Sequence, residues 1–423
     1  MTAPVAWPDA DTEGGIALGD GRFALDGFLP GDVQTLCETV REQVALGRAI
    51  YPQGGKASLD YGGTPARPGV AVGTTSISRL IDYPYADMTI TVEAGMTLSA
   101  LSGILAGQQQ RLLVDAPFPD SATIGGIYAT NSSGPRRFGA GRPRDQIIGV
   151  SFVTSEGVVV KGGGRVVKNV AGYDLPKLLT GSLGTLGIIT QLTLKVRPIP
   201  EKSAIAWVSL RSFQDVAEAL DRLNLSETRP IAIELLNAPA AGELAKDRGL
   251  PGGDVNLAVG YEENAPTVNW QLDRLKSELK GGDITILDDA QTARLWTGLI
   301  GFQARAIGPL SFVASVRPSS VASFVSSLDP AVWSVQAHAG NGIVRGHSLG
   351  DPGLESTREV IRKIRSAAVG DGGNLILSRC PVEWKEELRV WGEPRADWAM
   401  SERVKAALDP RHAMNPGRFV GRI

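Results

Sequence analysis

The 423-residue sequence predicts an α+β fold in two parts, and three observations lead there. Ile188, Thr190, Leu192, Leu194 and Val196 alternate with Gln191, Thr193 and Lys195, the period of a half-buried strand. That run ends at Arg197-Pro198-Ile199-Pro200, where two prolines are expected to stop a ladder. Beyond it a β-α-β-β-α-β order occurs twice, which predicts two ferredoxin-like units fused into one wide antiparallel sheet with helices on one face. Before it, glycine gathers in clusters rather than in a repeat. Such clusters suit loops whose backbone must approach something closely.

Taken in order, residues 1–25 are polar and rich in Gly and Asp, and are expected as a loose tail. Pro30-Gly31-Asp32 opens a helix in which Leu36, Val40 and Val44 recur at four-residue spacing, and Gly47 closes it. Strands are expected at 49–51, 69–73, 89–94 and 147–154, the last pairing with 157–161, and a helix at 98–105. In the second part, strands at 203–210, 230–236, 256–262 and 284–288 with helices at 212–223 and 266–279 make the first unit. Ser212 and Asp215 form a capping pair for its first helix. Strands at 311–317, 333–337, 342–347 and 374–378 with helices at 321–328 and 354–368 make the second. The expected division is 26–200, then 201–400, then a C-terminal segment 401–423 with one more helix and a Gly-rich tail.

Composition narrows the function. Lys+Arg is 43 against Asp+Glu 45, so nothing suggests a nucleic-acid surface. Cys37 and Cys380 stand far apart with no CxxC, which excludes an internal four-Cys iron–sulfur cluster or a Cys-rich zinc site. No stretch approaches the ~20 apolar residues of a membrane span. The N-terminus has neither the basic start nor the apolar core of a signal peptide, so the expected compartment is the cytoplasm.

Three glycine-dense segments need one explanation. They are Pro52-Gln53-Gly54-Gly55-Lys56-Ala57-Ser58, then Ala122-Thr123-Ile124-Gly125-Gly126 continuing to Asn131 and Gly134, then Gly181–Thr190. Neither the Rossmann nor the P-loop pattern is present. Glycines let peptide N–H groups form concave nests that bind phosphate, and two nests from distant regions suit a pyrophosphate; singly, each pair also reads as a turn.

This ordered set, with Asp115-Ala116-Pro117, resembles the FAD-binding domain of the vanillyl-alcohol oxidase (PCMH-type) flavoprotein superfamily. The run Gly162–Leu179 and the closing Asn415-Pro416-Gly417-Arg418 resemble the FAD-binding E subunit of bacterial glycolate oxidase. The resemblance implies a two-lobed FAD domain followed by a ferredoxin-like cap. It implies that Pro52, Gln53, Gly54, Gly55, Lys56, Ala57 and Ser58, with Pro117, Ala122, Thr123, Gly125 and Gly126, hold the pyrophosphate and ribityl chain. Gly187, Ile188 and Ile189 would meet the adenine, and Asn131, Gly134 and Gly139 the isoalloxazine. The three histidines, His338, His347 and His412, all lie beyond residue 330, so the FAD is expected to be noncovalent.

On the substrate side, His338-Ala339-Gly340-Asn341-Gly342-Ile343-Val344-Arg345 is similar to a signature of flavin-dependent D-2-hydroxyacid dehydrogenases in which histidines serve a metal or the substrate. Here Asn341 replaces the acid and Arg345 stands at the second histidine, which argues against a metal and for a bidentate carboxylate clamp. The same segment also reads as a plain hairpin turn. Arg136 and Arg137 are rival carboxylate ligands. Lys168 either stabilises charge on a reduced flavin or is simply solvated. The expected function is the FAD-binding subunit of a glycolate oxidase-like complex, turning a small 2-hydroxyacid into a 2-oxoacid and passing electrons to an iron–sulfur partner beside a second flavoprotein subunit. The alternatives are a self-sufficient D-2-hydroxyacid dehydrogenase and a subunit whose FAD is only structural.

Overall fold

A computed structural model describes residues 15–164, 172–246, 249–279 and 282–423. The chain begins with two sheets. Strands β1 (Gly27–Phe28), β2 (Ala49–Gln53) and β3 (Gly69–Gly73) form a parallel sheet in the order β1-β3-β2. Strands β4 (Leu80–Asp82), β5 (Thr89–Glu93), β6 (Ile147–Val153), β7 (Val159–Gly163) and β8 (Ile188–Lys195) form an antiparallel sheet in the order β7-β6-β8-β5-β4. Helix α1 (Val33–Ala45) is capped by Asp32, whose carboxylate accepts the Thr35 N–H, and buries Leu36, Val40 and Val44. Each such buried side chain contributes roughly 1.5–3 kcal/mol. The expected stop at Pro198 is corrected: Arg197–Pro198 pairs antiparallel with Gln110–Arg111, a ladder kept short because proline offers only its carbonyl.

Past Pro200 the chain builds one eight-stranded antiparallel sheet. Its strands are β9 (Lys202–Leu210), β10 (Ala232–Asn237), β11 (Val255–Glu263), β12 (Asp283–Ile286), β13 (Ser311–Ser315), β14 (Trp333–His338), β15 (Ile343–Ser348) and β16 (Asn374–Arg379). The order β12-β9-β11-β10-β14-β15-β13-β16 joins two four-stranded units through their second strands, β10 and β14. Helices α4 (Phe213–Leu225), α6 (Ala265–Glu278), α8 (Val321–Ser326) and α9 (Gly353–Gly370) share one apolar core on one face. The expectation of a one-sided sheet fails for the first unit. There α5 (Ala238–Ala245) and α7 (Asp289–Gly301) cover the opposite face, burying Trp207, Leu244 and Leu295.

Residues 15–25 and the C-terminal segment both pack against the first sheets. Residues 15–25, expected as loose tail, instead carry a hairpin of Ala17–Gly19 and Arg22–Phe23. Its turn residue Asp20 is buried between Lys385, at 2.6 Å, and Arg418. After the last helix, α10 (Trp398–Leu408), Met414 bridges Ile50. Fully buried Lys405 pairs with Asp409 at 2.6 Å and donates to the carbonyls of Thr185 and Met414. Burial lowers the Lys405 pKa. Burial alone would raise the Asp409 carboxyl, yet Lys405 and two backbone amides hold it below its ordinary value.

Candidate active site

Two neighbouring features make the candidate site, a cleft in the first half and a charged cluster where the eight-stranded sheet meets it. The cleft, with about 1140 Å³ of free space including its mouth, brings together residues from all three glycine-dense segments. Pro52, Gln53, Gly54, Gly55, Lys56, Ala57 and Ser58 line it, as do Pro117, Ala122, Thr123, Gly125 and Gly126, then Gly187, Ile188 and Ile189. Sequence reasoning missed Tyr61, Thr74, Asn415 and Arg418, which complete the wall.

The glycines have a visible cause. A Cβ on Gly55 would lie 1.5 Å from the Ser121 carbonyl oxygen, and one on Gly54 would lie 2.2 Å from Thr123 Oγ1. The two loops therefore pack backbone against backbone at Gly55 and against the Thr123 side chain at Gly54. Lys56 sits in the left-handed region at φ 60°, a backbone conformation of the kind that anion-binding nests use. Replacing Gly55 by alanine is expected to separate the loops and leave purified protein with less than about a tenth of its flavin absorbance, since relieving such overlap costs roughly 1–3 kcal/mol.

Three expected flavin neighbours lie outside this lining. Asn131 is the left-handed C-cap of α3 (Ile124–Thr130), Gly134 is pressed against Asp115, and Gly139 donates its N–H to Ile231 on the sheet side. Lys168 lies outside the described residues.

In the charged cluster, His338 ends β14 and turns Nδ1 toward the Glu234 carboxylate of β10 at 2.8 Å. Gln336 Nε2 donates to the same carboxylate at 2.5 Å. A carboxylate opposite Nδ1 assigns the proton to that nitrogen and leaves Nε2 with its lone pair. Arg345 of β15 faces Nε2 at 3.5 Å and donates to the Ser133 carbonyl at 3.1 Å. Arg137 reaches the Ser133 hydroxyl at 3.3 Å. Burial lowers the Arg345 pKa, opposed by Tyr61 and Glu234 and reinforced by Arg137. Tyr61, which lines the cleft, is thus close enough to Arg345 to feel its charge. Among the described residues Arg345 has no direct carboxylate partner, so it retains capacity for an anion.

Arg136 is not such a ligand, which corrects one of the rivals. Its guanidinium pairs with Asp115 and Glu262, both at 2.9 Å, and lies 3.9 Å from the centroid of the Trp296 ring. Glu262 also accepts from Arg111 and the Ser203 hydroxyl. Although burial would raise the Glu262 carboxyl, Arg136 and Arg111 hold it below its ordinary value.

His347 has no access to this chemistry. It is bonded to the Ser311 hydroxyl and the Phe302 carbonyl, and burial lowers its pKa from 6.5 to about 4. Between those values the unfolded chain takes up a proton that the folded chain refuses. Stability should therefore fall as pH drops through this window, by up to about 3 kcal/mol. His347→Gln should flatten that slope in urea unfolding measured across the window.

Comparisons with known proteins agree with this geometry. A family model described as "FAD binding domain" matches residues 28–163, and one described as "FAD linked oxidases, C-terminal domain" matches 199–343 and 390–419. The chain is 26% identical to glycolate oxidase subunit GlcD of Bacillus subtilis over 397 residues, covering 88% of this chain and 83% of that protein. It is 27% identical to D-2-hydroxyglutarate dehydrogenase of Xanthomonas citri over 422 residues, 92% and 88% of the two chains. Glycolate oxidase subunit GlcE of Escherichia coli is 32% identical over 203 residues, but this covers only 47% and 56%. The solved structure of an alkyldihydroxyacetonephosphate synthase shares the fold, with TM-score 0.68 at 18% identity, over 93% of this chain and 77% of that one. The close contact of the two glycine loops and the cleft lined from all three glycine-dense segments fit an FAD. The chain is therefore an FAD-dependent oxidoreductase, with residues 28–163 similar to the FAD binding domain and 199–343 and 390–419 similar to the C-terminal domain of FAD linked oxidases.

Proposed function

We propose that this chain oxidises the CH–OH group of a small 2-hydroxyacid to the 2-oxoacid. The observation that carries the reading is the Glu234–His338–Arg345 cluster beside the cleft. His338 Nε2 accepts the hydroxyl proton, and Glu234 holds the ring in the tautomer that allows it and stabilises the charge it gains. Arg345, loosely held at 3.5 Å from the ring, turns to the substrate carboxylate, with Arg137 on the other side of Ser133. Bound FAD supplies the hydride acceptor. Residues 52–58, 117 and 122–126 would hold its pyrophosphate and ribityl chain noncovalently, and Gly187, Ile188 and Ile189 its adenine, since all of these line the cleft. On this reading 26–200 form the FAD-binding part and 201–400 the cap, while 401–423 close the cleft through Asn415 and Arg418.

The relatives support the substrate class, being named for glycolate and D-2-hydroxyglutarate. A second reading is a subunit of a glycolate oxidase-like complex, beside a second flavoprotein and an iron–sulfur partner. It is favoured by the match to GlcE and by Arg345 standing where the similar signature has a histidine. Anaerobic mixing of the flavin-loaded chain with glycolate, and separately D-lactate, separates the two. Bleaching of the flavin band supports oxidation by this chain. No bleaching, with dithionite still reducing the flavin, supports the subunit reading.

A further inference from the structure

Beside the FAD cleft lies a second, open pocket with about 800 Å³ of free space including its mouth, walled by Trp391, Trp398 and Phe419 with Arg389 and Arg422 at its edge. The two cavities share a partition formed by two stretches of backbone. In one, Tyr61 lines the cleft and Gly63 and Thr64 line the second cavity. In the other, Arg418 lines the cleft while Gly417 and Phe419 line the second cavity.

Trp391 is pinned into this partition. Its indole N–H donates to the Arg418 carbonyl at 3.1 Å. A Cβ on Gly62 would lie 3.1 Å from its ring, so the glycine leaves room for the indole beside the backbone. Three aromatic rings cross the wall in edge contact. Tyr61 and Trp391 have centroids 5.6 Å apart, and Trp391 and Phe419 5.5 Å. The contact runs from a ring that lines the FAD cleft to a ring that lines the outer cavity.

An FAD oxidoreductase reduced by its substrate needs an oxidant to turn over, and electron transfer weakens steeply with distance. A cavity one ring away from the cleft is a favourable place for that oxidant. This one is too small for a protein. Its aromatic walls favour a flat, uncharged ring, and the guanidinium N–H groups that Arg389 and Arg422 keep beyond their ion pairs with Glu393 and Glu386 can donate to carbonyl oxygens on such a ring. We propose that this cavity binds a planar electron acceptor of the quinone class, and that Tyr61 and Trp391 couple it to the FAD cleft. The quinone gains two electrons and two protons to become the quinol. Reduced FAD gives up both electrons and returns to its oxidised form, with the protons balanced by the flavin and solvent. The proposal rests on FAD occupying the cleft, but not on the identity of the hydroxyacid, and it gives the chain an oxidant that needs no iron–sulfur partner.

The test is titration of the oxidised, FAD-loaded chain with menadione, followed calorimetrically, which reads binding rather than turnover. One saturable site per chain is expected, weakened at least about tenfold in Trp398→Ala and in Phe419→Ala, as when an aromatic anchor is truncated. The flavin absorbance of both variants should match the parent. Trp398 belongs to a surface helix and is half-buried, so its variant decides if Phe419→Ala fails to fold. No saturable binding to the parent chain, or equal binding to Trp398→Ala, would overturn the proposal. Loss of flavin from the parent chain would instead refute FAD occupancy. Binding that is gained only when FAD is removed would place the quinone in the cleft and also reject the outer cavity.

Discussion

Replacing His338 by alanine is expected to slow bleaching of the bound flavin by a 2-hydroxyacid about 10²–10⁴-fold, the contribution of a positioned general base. FAD content should not change, because His338 is not part of the cleft lining. Stopped-flow reduction of the variant, with its flavin absorbance as the control, reads both. Removing the ring also strands the Glu234 carboxylate among buried groups, so His338→Gln, which can still donate to Glu234, guards against a folding artefact. Glu234→Gln should lower the rate as well while leaving substrate affinity largely intact, since the carboxylate acts through the ring and not on the substrate. An unchanged rate in His338→Ala would remove His338 as the base and assign the hydroxyl proton to another acceptor.

Lys405→Met should destabilise the protein by about 3–5 kcal/mol, because it leaves the fully buried Asp409 without its cation. The loss reaches the cleft. Lys405 donates at 2.7 Å to Thr185, within the third glycine-dense segment, and at 2.7 Å to Met414, beside the cleft-lining Asn415. Weaker FAD retention should therefore accompany the lower urea midpoint, and added FAD should recover part of that midpoint by mass action. A midpoint within about 1 kcal/mol of the parent would mean that Asp409 is sufficiently held by the Ala413 and Met414 amides.

Much of the fold was legible because it is written in local periodicity. Helix α1 is capped by Asp32 and ends at Ala45, two residues before the expected Gly47, and β8 matches the alternation of 188–196 within a residue. The paired β-α-β-β-α-β order survives as two units of one sheet. The misses have physical reasons. Helix α5 is a run of small residues, Ala-Pro-Ala-Ala-Gly, with little periodic contrast. Helix α7 carries a signal in the Asp288 and Gln291 capping box, but it lies outside the β-α-β-β-α-β order. The glycine loops of the cleft were readable since Gly54 and Gly55 leave no room for alternatives. Glu234 and Tyr61 were not, because an isolated buried acid or tyrosine looks like any other until strand pairing brings Glu234 against His338 and the loop after Ser58 brings Tyr61 near Arg345. Arg136 and Arg137 are adjacent and chemically identical in sequence. Only the folded chain distinguishes them, by giving Arg136 two carboxylates and Arg137 a serine.

The carboxylate of Glu262 has a consequence for how substrate gets in. It belongs to the eight-stranded sheet yet is gripped by Arg111 and Arg136 from the first half, with only 1% of its side chain exposed. Opening the molecule like a book would tear a charge out of its partners, at a cost of several kcal/mol on each cycle. Catalysis on a frame riveted in this way has to admit its substrate by small side-chain displacements around Arg345 and Tyr61. Its rate should then respond little to moderate salt, because a shielded ion pair is screened far less than an exposed one.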